Sequence, residues 1–237
     1  MTDEGLVFRK LEMHDRDALI SVHQAVLASL ADPSFLYARP DSFFERVLAG
    51  DGMGFGAFTR AGRLIAYSTL LRPNARDYPY LALDHLSLDA SLIAHGSGMA
   101  VHPEFRAQGI MGPLVQSRKL QALAMGAQFV TAIVSPGNMP SLKTVHASGY
   151  CPVGVHHDDD GINYLALTSV SGSLKVPDTG DMDHAFDDHA RNLPALASGK
   201  FIGLPFMDGA VRMLRFVAAT RLKDCLQEPD AAHARAG

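Results

Sequence analysis

The residues that point most directly to chemistry lie between Met99 and Gly112. Ser97 to Val101 reads as a strand. It runs into His102-Pro103-Glu104-Phe105-Arg106-Ala107-Gln108-Gly109-Ile110-Met111-Gly112, after which Met111, Leu114, Val115, Ala122 and Met125 recur at helical spacing. A strand, a glycine-bearing loop and a helix start, in that order, suit an anion. The first N–H groups of a helix have no partner inside it, the helix dipole favours negative charge there, and glycine lets phosphate oxygens approach the chain. Arg106 adds a fixed positive charge. Taken alone, a tight turn with a solvated arginine accounts for the same residues, because a single glycine loop is a weak signal.

The elements on either side must position this segment. Leu6 to Lys10 reads as a strand, and Leu19, Ile20, Val22, Val26, Leu27 and Leu30 as one face of a helix that Asp15 or Asp17 caps. Ala31 to Pro40, with two prolines, reads as a loop, followed by a short helix through Phe43, Phe44, Val47 and Leu48 that stops at Gly50-Asp51-Gly52. Met53 to Thr59 and Leu64 to Leu71 are apolar runs split by Arg60-Ala61-Gly62-Arg63, a hairpin pattern. Arg72 to Leu92 is irregular and reads as a long insertion with one helical turn around Ala82 to Leu88. Beyond the glycine loop come a strand Phe129 to Val134, a helix Pro140 to Ala147 ended by Gly149, and strands Tyr150 to Val155 and Tyr164 to Val170. In the tail, Asp183 to Leu196 is expected to be helical, and Lys200 to Leu204 and Val211 to Val217 to form a hairpin at Asp208-Gly209. Since a lone hairpin is unstable, this tail must pack on the domain or on another subunit, so a homodimer is among the expected partners. Glu228 to Gly237 is expected to fray.

Composition narrows the function. The 237 residues are 47% hydrophobic and 19% charged, enough to bury a core. Lysine plus arginine come to 21 and aspartate plus glutamate to 25, a net charge of −4, so neither nucleic acid nor an anionic membrane is an expected partner. No apolar run approaches a bilayer-spanning length, and the opening MTDEGLVFRK is acidic where a signal peptide would be basic, which reads as a soluble cytoplasmic chain. Cys151 and Cys225 lack the spacing of zinc or redox pairs and read as buried thiols. No metal is expected: His156 and His157 point to opposite faces of a strand, and His184 and His189 diverge on a helix. Arg118 and Lys119 read as a solvated helix face.

Val101-His102-Pro103-Glu104-Phe105-Arg106-Ala107-Gln108-Gly109-Ile110-Met111 resembles the acyl-CoA signature of the GNAT superfamily of N-acetyltransferases, R/Q-x-x-G-x-G/A with its V-x-P-x-[YF]-R lead-in. Asn138-Met139-Pro140-Ser141-Leu142 and Gly149-Tyr150 stand where the family has its N-x-x-[AS] helix start and closing G-[FY]. The resemblance covers about residues 6 to 170. It implies an α/β (α+β) GNAT fold, a mixed central sheet flanked by helices, as a domain over 1–170, with residues 171–237 as an accessory helix and hairpin. It further implies that acetyl-CoA is the co-substrate. Arg106, Ala107, Gln108, Gly109, Ile110, Met111 and Gly112 would cradle its pyrophosphate, Met99, Ala100 and Val101 would pair with the pantetheine arm, and Asn138 would touch that arm. Met111 departs from the strict motif, which has Gly or Ala there, and is expected to point into the core.

The same resemblance places His95 where several members of the family carry a glutamate or histidine as general base; a polar residue at a strand mouth is the other reading. The family's thiolate-protonating tyrosine falls on Val145, so His146, Tyr150 or water must substitute. The acceptor site is implied between the loop Asp32 to Arg39 and the Arg72 to Leu92 insertion, with Phe35, Tyr37, Tyr80, Asp84 and His85 forming an aromatic, partly acidic pocket. The expected function is transfer of an acetyl group from acetyl-CoA to a small-molecule amine by direct attack in a ternary complex. A CoA-binding sensor without turnover and a protein N-acetyltransferase are the alternatives.

Overall fold

The structure, a computed structural model, describes residues 5–72, 83–159, 161–172 and 174–226. Contacts gather the chain into two compact units, Met1–Tyr78 with Ala94–Gly126, and Pro79–Ile93 with Ala127–Gly237.

The first unit holds β1 (Val7–Lys10), α1 (Arg16–Ala28), α2 (Asp41–Arg46), β2 (Gly52–Phe58), β3 (Leu64–Leu71), β4 (Ile93–Val101) from Ala94 onward, and α3 (Met111–Ala124). Its strands pair antiparallel in the order β1-β2-β3-β4. All eight residues of β3 are buried, as expected of a central strand covered on both faces. On one face α1 and α2 bury Leu19, Val22, Val26, Phe43 and Phe44 against Tyr67 and Leu71. On the other, Ile110 and Leu114 pack on Ala57, Ile65 and Ala66. Arg9 clamps Asp15 with two hydrogen bonds of 2.7 Å, tying β1 to the start of α1 and lowering the Asp15 pKa.

Two expectations change in this unit. The fourth strand begins at Ile93 rather than Ser97, because its glycines are accommodated in the ladder rather than ending it. Arg118, expected in solvent, is 3% exposed. It shares the inner stripe of α3 with Leu114, Val115 and Ala122. Ile110 enters the core in place of Met111, which is half-buried.

The second unit holds β5 (Phe129–Val134), α4 (Met139–Ala147), β6 (Cys151–Asp158), β7 (Gly161–Ser169), β8 (Met182–Ala185), α5 (His189–Ala197), β9 (Phe201–Asp208), β10 (Val211–Ala218) and α6 (Leu222–Cys225). Strands β5-β7-β6 are antiparallel, as is a small sheet β8-β10-β9. Residues 183–185, expected to begin a helix, belong to β8 because Met182 to Ala185 align with Phe216 to Met213 of β10. The tail elements lie on β6, where a Cβ at Gly203 would stand 3.1 Å from Pro152. Both cysteines are buried free thiols, with pKa values raised by burial. Among the described residues no helix is long and apolar enough to cross a membrane.

Candidate functional site

The site begins with an irregularity in β4. Thr69 of β3 faces Gly98 while Leu70 faces Gly96, so Ser97 is an extra residue, a β-bulge. Its hydroxyl donates to Thr69 Oγ1 at 3.0 Å. Beyond the bulge the directions of the peptide groups follow from one hydrogen bond. The His102 N–H donates to the Ile65 carbonyl at 2.8 Å. Alternation along an antiparallel strand then turns Ala100 and Gly98 toward β3, and the N–H groups of Val101 and Met99 away from it. The two outward N–H groups are donors on the face where an extended ligand could add as a strand.

Arg118 supports this arrangement from α3. Its Nε donates to Ser68 Oγ at 3.0 Å and its Nη2 to the Gly98 carbonyl at 2.8 Å. A Cβ at Gly96 would collide with the Arg118 guanidinium, so the glycine makes room for the buried cation. The Gly98 carbonyl and the Met99 N–H belong to one peptide group. A cation on the carbonyl therefore makes the N–H at the other end a stronger donor.

The loop after β4 is built from local contacts. His102 Nδ1 accepts from the Glu104 N–H, Arg63 pairs with Glu104 at 3.0 Å, and the Arg63 guanidinium lies over the Phe105 ring. Ala107 (φ 60°) and Gly109 (φ 73°) are both left-handed, so the chain curls. Successive N–H groups in such a curl line an anion-binding concavity. The N-terminus of α3 has no side-chain cap, and a Cβ at Gly109 or Gly112 would meet nothing within 4 Å. Open space thus stands before uncapped backbone donors, which fits a pyrophosphate. Arg106, exposed, donates to Ser29 Oγ at 2.7 Å at the end of α1.

The remaining expected residues are distributed as follows. His95 lies on β4 opposite Leu71, two residues before the bulge, and is 2% exposed. Asn138 caps α4, its Oδ1 accepting from the Ser141 N–H at 3.2 Å. His146 is buried against Phe186, ring centroids 4.5 Å apart, and neither ring nitrogen has a hydrogen-bond partner among the described residues. Burial, reinforced by the charge of Arg212, lowers its pKa to about 3. A neutral imidazole keeps one N–H that is far too weakly acidic to protonate a thiolate near neutral pH, and enclosure against Phe186 gives His146 a packing role; both argue against the expectation of His146 as the acid. Tyr150 is 0% exposed, its hydroxyl shut off from solvent.

Of the acceptor candidates, Phe35 and Tyr37 are half-buried in the 32–40 loop of the first unit. Asp84 and His85 lie in a short 3₁₀ turn of the second, where His85 Nε2 donates to the Val153 carbonyl at 2.8 Å. That bond gives His85 a structural role within its own unit. Tyr80 lies outside the described residues. Among the described residues no group of three or more His, Cys, Asp or Glu is placed to hold a metal ion.

Residues that sequence reasoning passed over complete the picture. His23 of α1 is 2% exposed; its Nε2 accepts from the Arg39 N–H at 3.2 Å, so its protonated Nδ1 donates to the Tyr67 hydroxyl at 2.7 Å. Burial and the nearby Arg39 lower the His23 pKa to about 4. The spacing of Arg118 from Leu114 and Val115 was the available signal for its burial, and its charge masked it.

No protein-family model matches the chain, and no curated protein sequence matches it. Solved structures do. Arabidopsis thaliana NAA60 in complex with acetyl-CoA superposes with a TM-score of 0.57 at 19% identity, over 71% of this chain and 100% of that one. The Escherichia coli ribosomal-protein-S18-alanine N-acetyltransferase gives 0.52 at 15%, over 73% and 98%. The aminoglycoside acetyltransferase AAC(6')-Ib in complex with coenzyme A gives 0.52 at 14%, over 70% and 95%. The chain has the fold of the GCN5-related N-acetyltransferases, a mostly antiparallel sheet flanked by helices.

Two outcomes follow. Gly109→Val places a β-branched residue at φ 73° beside the open space; acetyl-CoA affinity, measured by calorimetry, should fall by about two orders of magnitude while the circular dichroism of the folded protein persists. The second concerns acid. The folded pKa of His146 lies below its ordinary value of 6.5, so the unfolded chain binds the extra proton and stability declines as pH falls from about 6.5 toward about 3. The contribution of His146 approaches about 1.4 kcal/mol per pH unit. Urea titrations at pH 7, 6 and 5 should show a slope to which His23, also lowered by burial, contributes alike, and His146→Leu should remove about half of it.

Proposed function

We propose that the protein is an acyl-CoA-dependent N-acyltransferase that moves an acetyl group from acetyl-CoA to a small-molecule amine. The observation that carries this reading is the continuous array of outward backbone donors, Met99 and Val101 on β4 followed by the curled loop and uncapped start of α3. An extended pantetheine arm suits the first part and a pyrophosphate the second. The complexes of NAA60 with acetyl-CoA and of AAC(6')-Ib with coenzyme A, on the same fold, support the choice of ligand.

Chemically, the amine nitrogen forms a bond to the thioester carbon, and the carbonyl π electrons move onto oxygen. The Met99 or Val101 N–H is directed to receive that oxyanion, Met99 with the added polarisation from Arg118. Collapse restores the carbonyl and breaks the carbon–sulfur bond, releasing CoA thiolate. His95 takes the proton lost by the attacking amine, directly or through water. With Val145 at the usual tyrosine position and His146 neutral, the thiolate departs without a dedicated side-chain acid. A free thiol pKa of about 8.5 makes that tolerable. The products are the N-acetylated amine and CoA.

Thiol release from acetyl-CoA, followed with amines, amino acids and peptides as acceptors, tests the reading. Acceptor-dependent release is expected with small amines. His95→Ala should lower kcat at pH 7 by about 10²-fold or more while leaving acetyl-CoA affinity within about 3-fold; an unchanged kcat removes His95 as the base. Release with peptides alone would reassign the acceptor to protein, and acetyl-CoA binding without release for any acceptor would indicate a sensor.

A further inference from the structure

The loop that joins α1 to α2 delivers an arginine that has no counter-charge among the described residues. Arg39 is half-buried, its guanidinium carbon 4.7 Å from the Phe43 ring centroid and 5.4 Å from that of Tyr37. Its Nε is buried and has no hydrogen-bond partner among the described residues. Its backbone N–H is fixed by His23, which in turn fixes the Tyr67 hydroxyl. That hydroxyl lies 3.7 Å from where a Cβ on Gly98 would stand, against the peptide group that turns its N–H outward from β4. Both Arg39 and Arg118 act electrostatically on Tyr67.

Two guanidinium groups therefore flank one tyrosine beside the β4 bulge. Among the described residues the arginines in ion pairs are Arg9, Arg16, Arg46, Arg63, Arg191 and Arg215, and neither Arg39 nor Arg118. Arg118 uses two of its donors on Ser68 and the Gly98 carbonyl. Arg39 makes no side-chain hydrogen bond to a described residue. A desolvated guanidinium without an anion is costly, and its planar fork matches a carboxylate in a bidentate contact. The aromatic faces of Tyr37 and Phe43 hold the fork in place and reduce the freedom lost on binding.

We infer that Arg39 is the anchor for a carboxylate on the acceptor, so that the substrates are amines that also carry a carboxylate, amino acids being the simplest class. The inference rests on the acetyltransferase reading for the identity of the acceptor, but the carboxylate site itself is testable without turnover. A bidentate anchor in a partly desolvated site discriminates strongly against an analogue lacking the charged group.

Two measurements decide it. With acetyl-CoA present, each of the twenty amino acids is compared with its decarboxylated amine. At least one amino acid should exceed its amine by about 50-fold in kcat/KM, and the ratio should fall to within about 3-fold in Arg39→Gln. An amine that equals its amino acid throughout the panel, or a ratio that survives in Arg39→Gln, overturns the proposal. In the second measurement, ¹⁵N-labelled protein is titrated with N-acetyl-L-alanine and with its neutral N-methylamide. The Arg39 Nε–H resonance, identified by its loss in Arg39→Lys, should shift saturably with the acid and at least about 10-fold more weakly with the amide. Equal responses, or none, overturn the site. If acetyl-CoA is neither bound nor cleaved, the transferase reading fails and the titration alone decides whether Arg39 holds a carboxylate. Arg39→Met, which keeps an apolar stem and removes the charge, serves if Arg39→Gln does not fold.

Discussion

The peptide group between Gly98 and Met99 is the point on which the first unit's site depends. Its carbonyl is turned inward and accepts from Arg118, and its N–H is turned outward by the same rigid plane. A regular ladder would continue the alternation set at the start of β4. The extra residue at Ser97 resets it, so that the outward N–H groups beyond the bulge are those of Met99 and Val101. The bulge is in turn braced by the Ser97–Thr69 hydroxyl pair and by an arginine that fits only because residue 96 is glycine. A functional direction, donors facing outward, is thereby set by an internal packing solution.

Charge is organised around the same strand. The chain as a whole is acidic, with a net charge of −4, yet the neighbourhood of Tyr67 holds Arg39 and Arg118 and a histidine kept neutral by burial. Local positive potential in a low-dielectric pocket counts for more than the overall balance. An acidic protein can therefore present anion-binding backbone at α3 and a guanidinium at the 32–40 loop while repelling polyanions over the rest of its surface. The two features sit on separate elements of the first unit, so under the proposed function the donor's phosphates and an acceptor's carboxylate do not compete.

Much of this was legible in the residues. The Leu64–Leu71 strand, the turn before it and the glycine loop leading into α3 all follow from local patterning, because turn chemistry and periodicity act over a few residues. Other features depend on partners distant in sequence. Met182–Ala185 carries residues compatible with a helix and becomes a strand because β10 offers it an edge. The strand was expected to start at Ser97 and starts at Ile93, and only the position of Arg118 shows what Gly96 is for. Arg118 itself occupies an inward helical position, where charge suggested solvent and spacing suggested core; two hydrogen bonds to β3 and β4 settle it for the core. Arg39 was a loop residue among prolines and aromatics, and its lack of an anionic partner among the described residues is visible only once its neighbours are placed.

The central claim is that backbone N–H groups, rather than charged side chains, hold the acyl donor. Amide chemical shifts of ¹⁵N-labelled protein during titration with acetyl-CoA test it most directly. The account predicts saturable shifts centred on Met99, Val101 and the amides of residues 107–112. Binding that leaves these amides unmoved, or no binding at all, would contradict it.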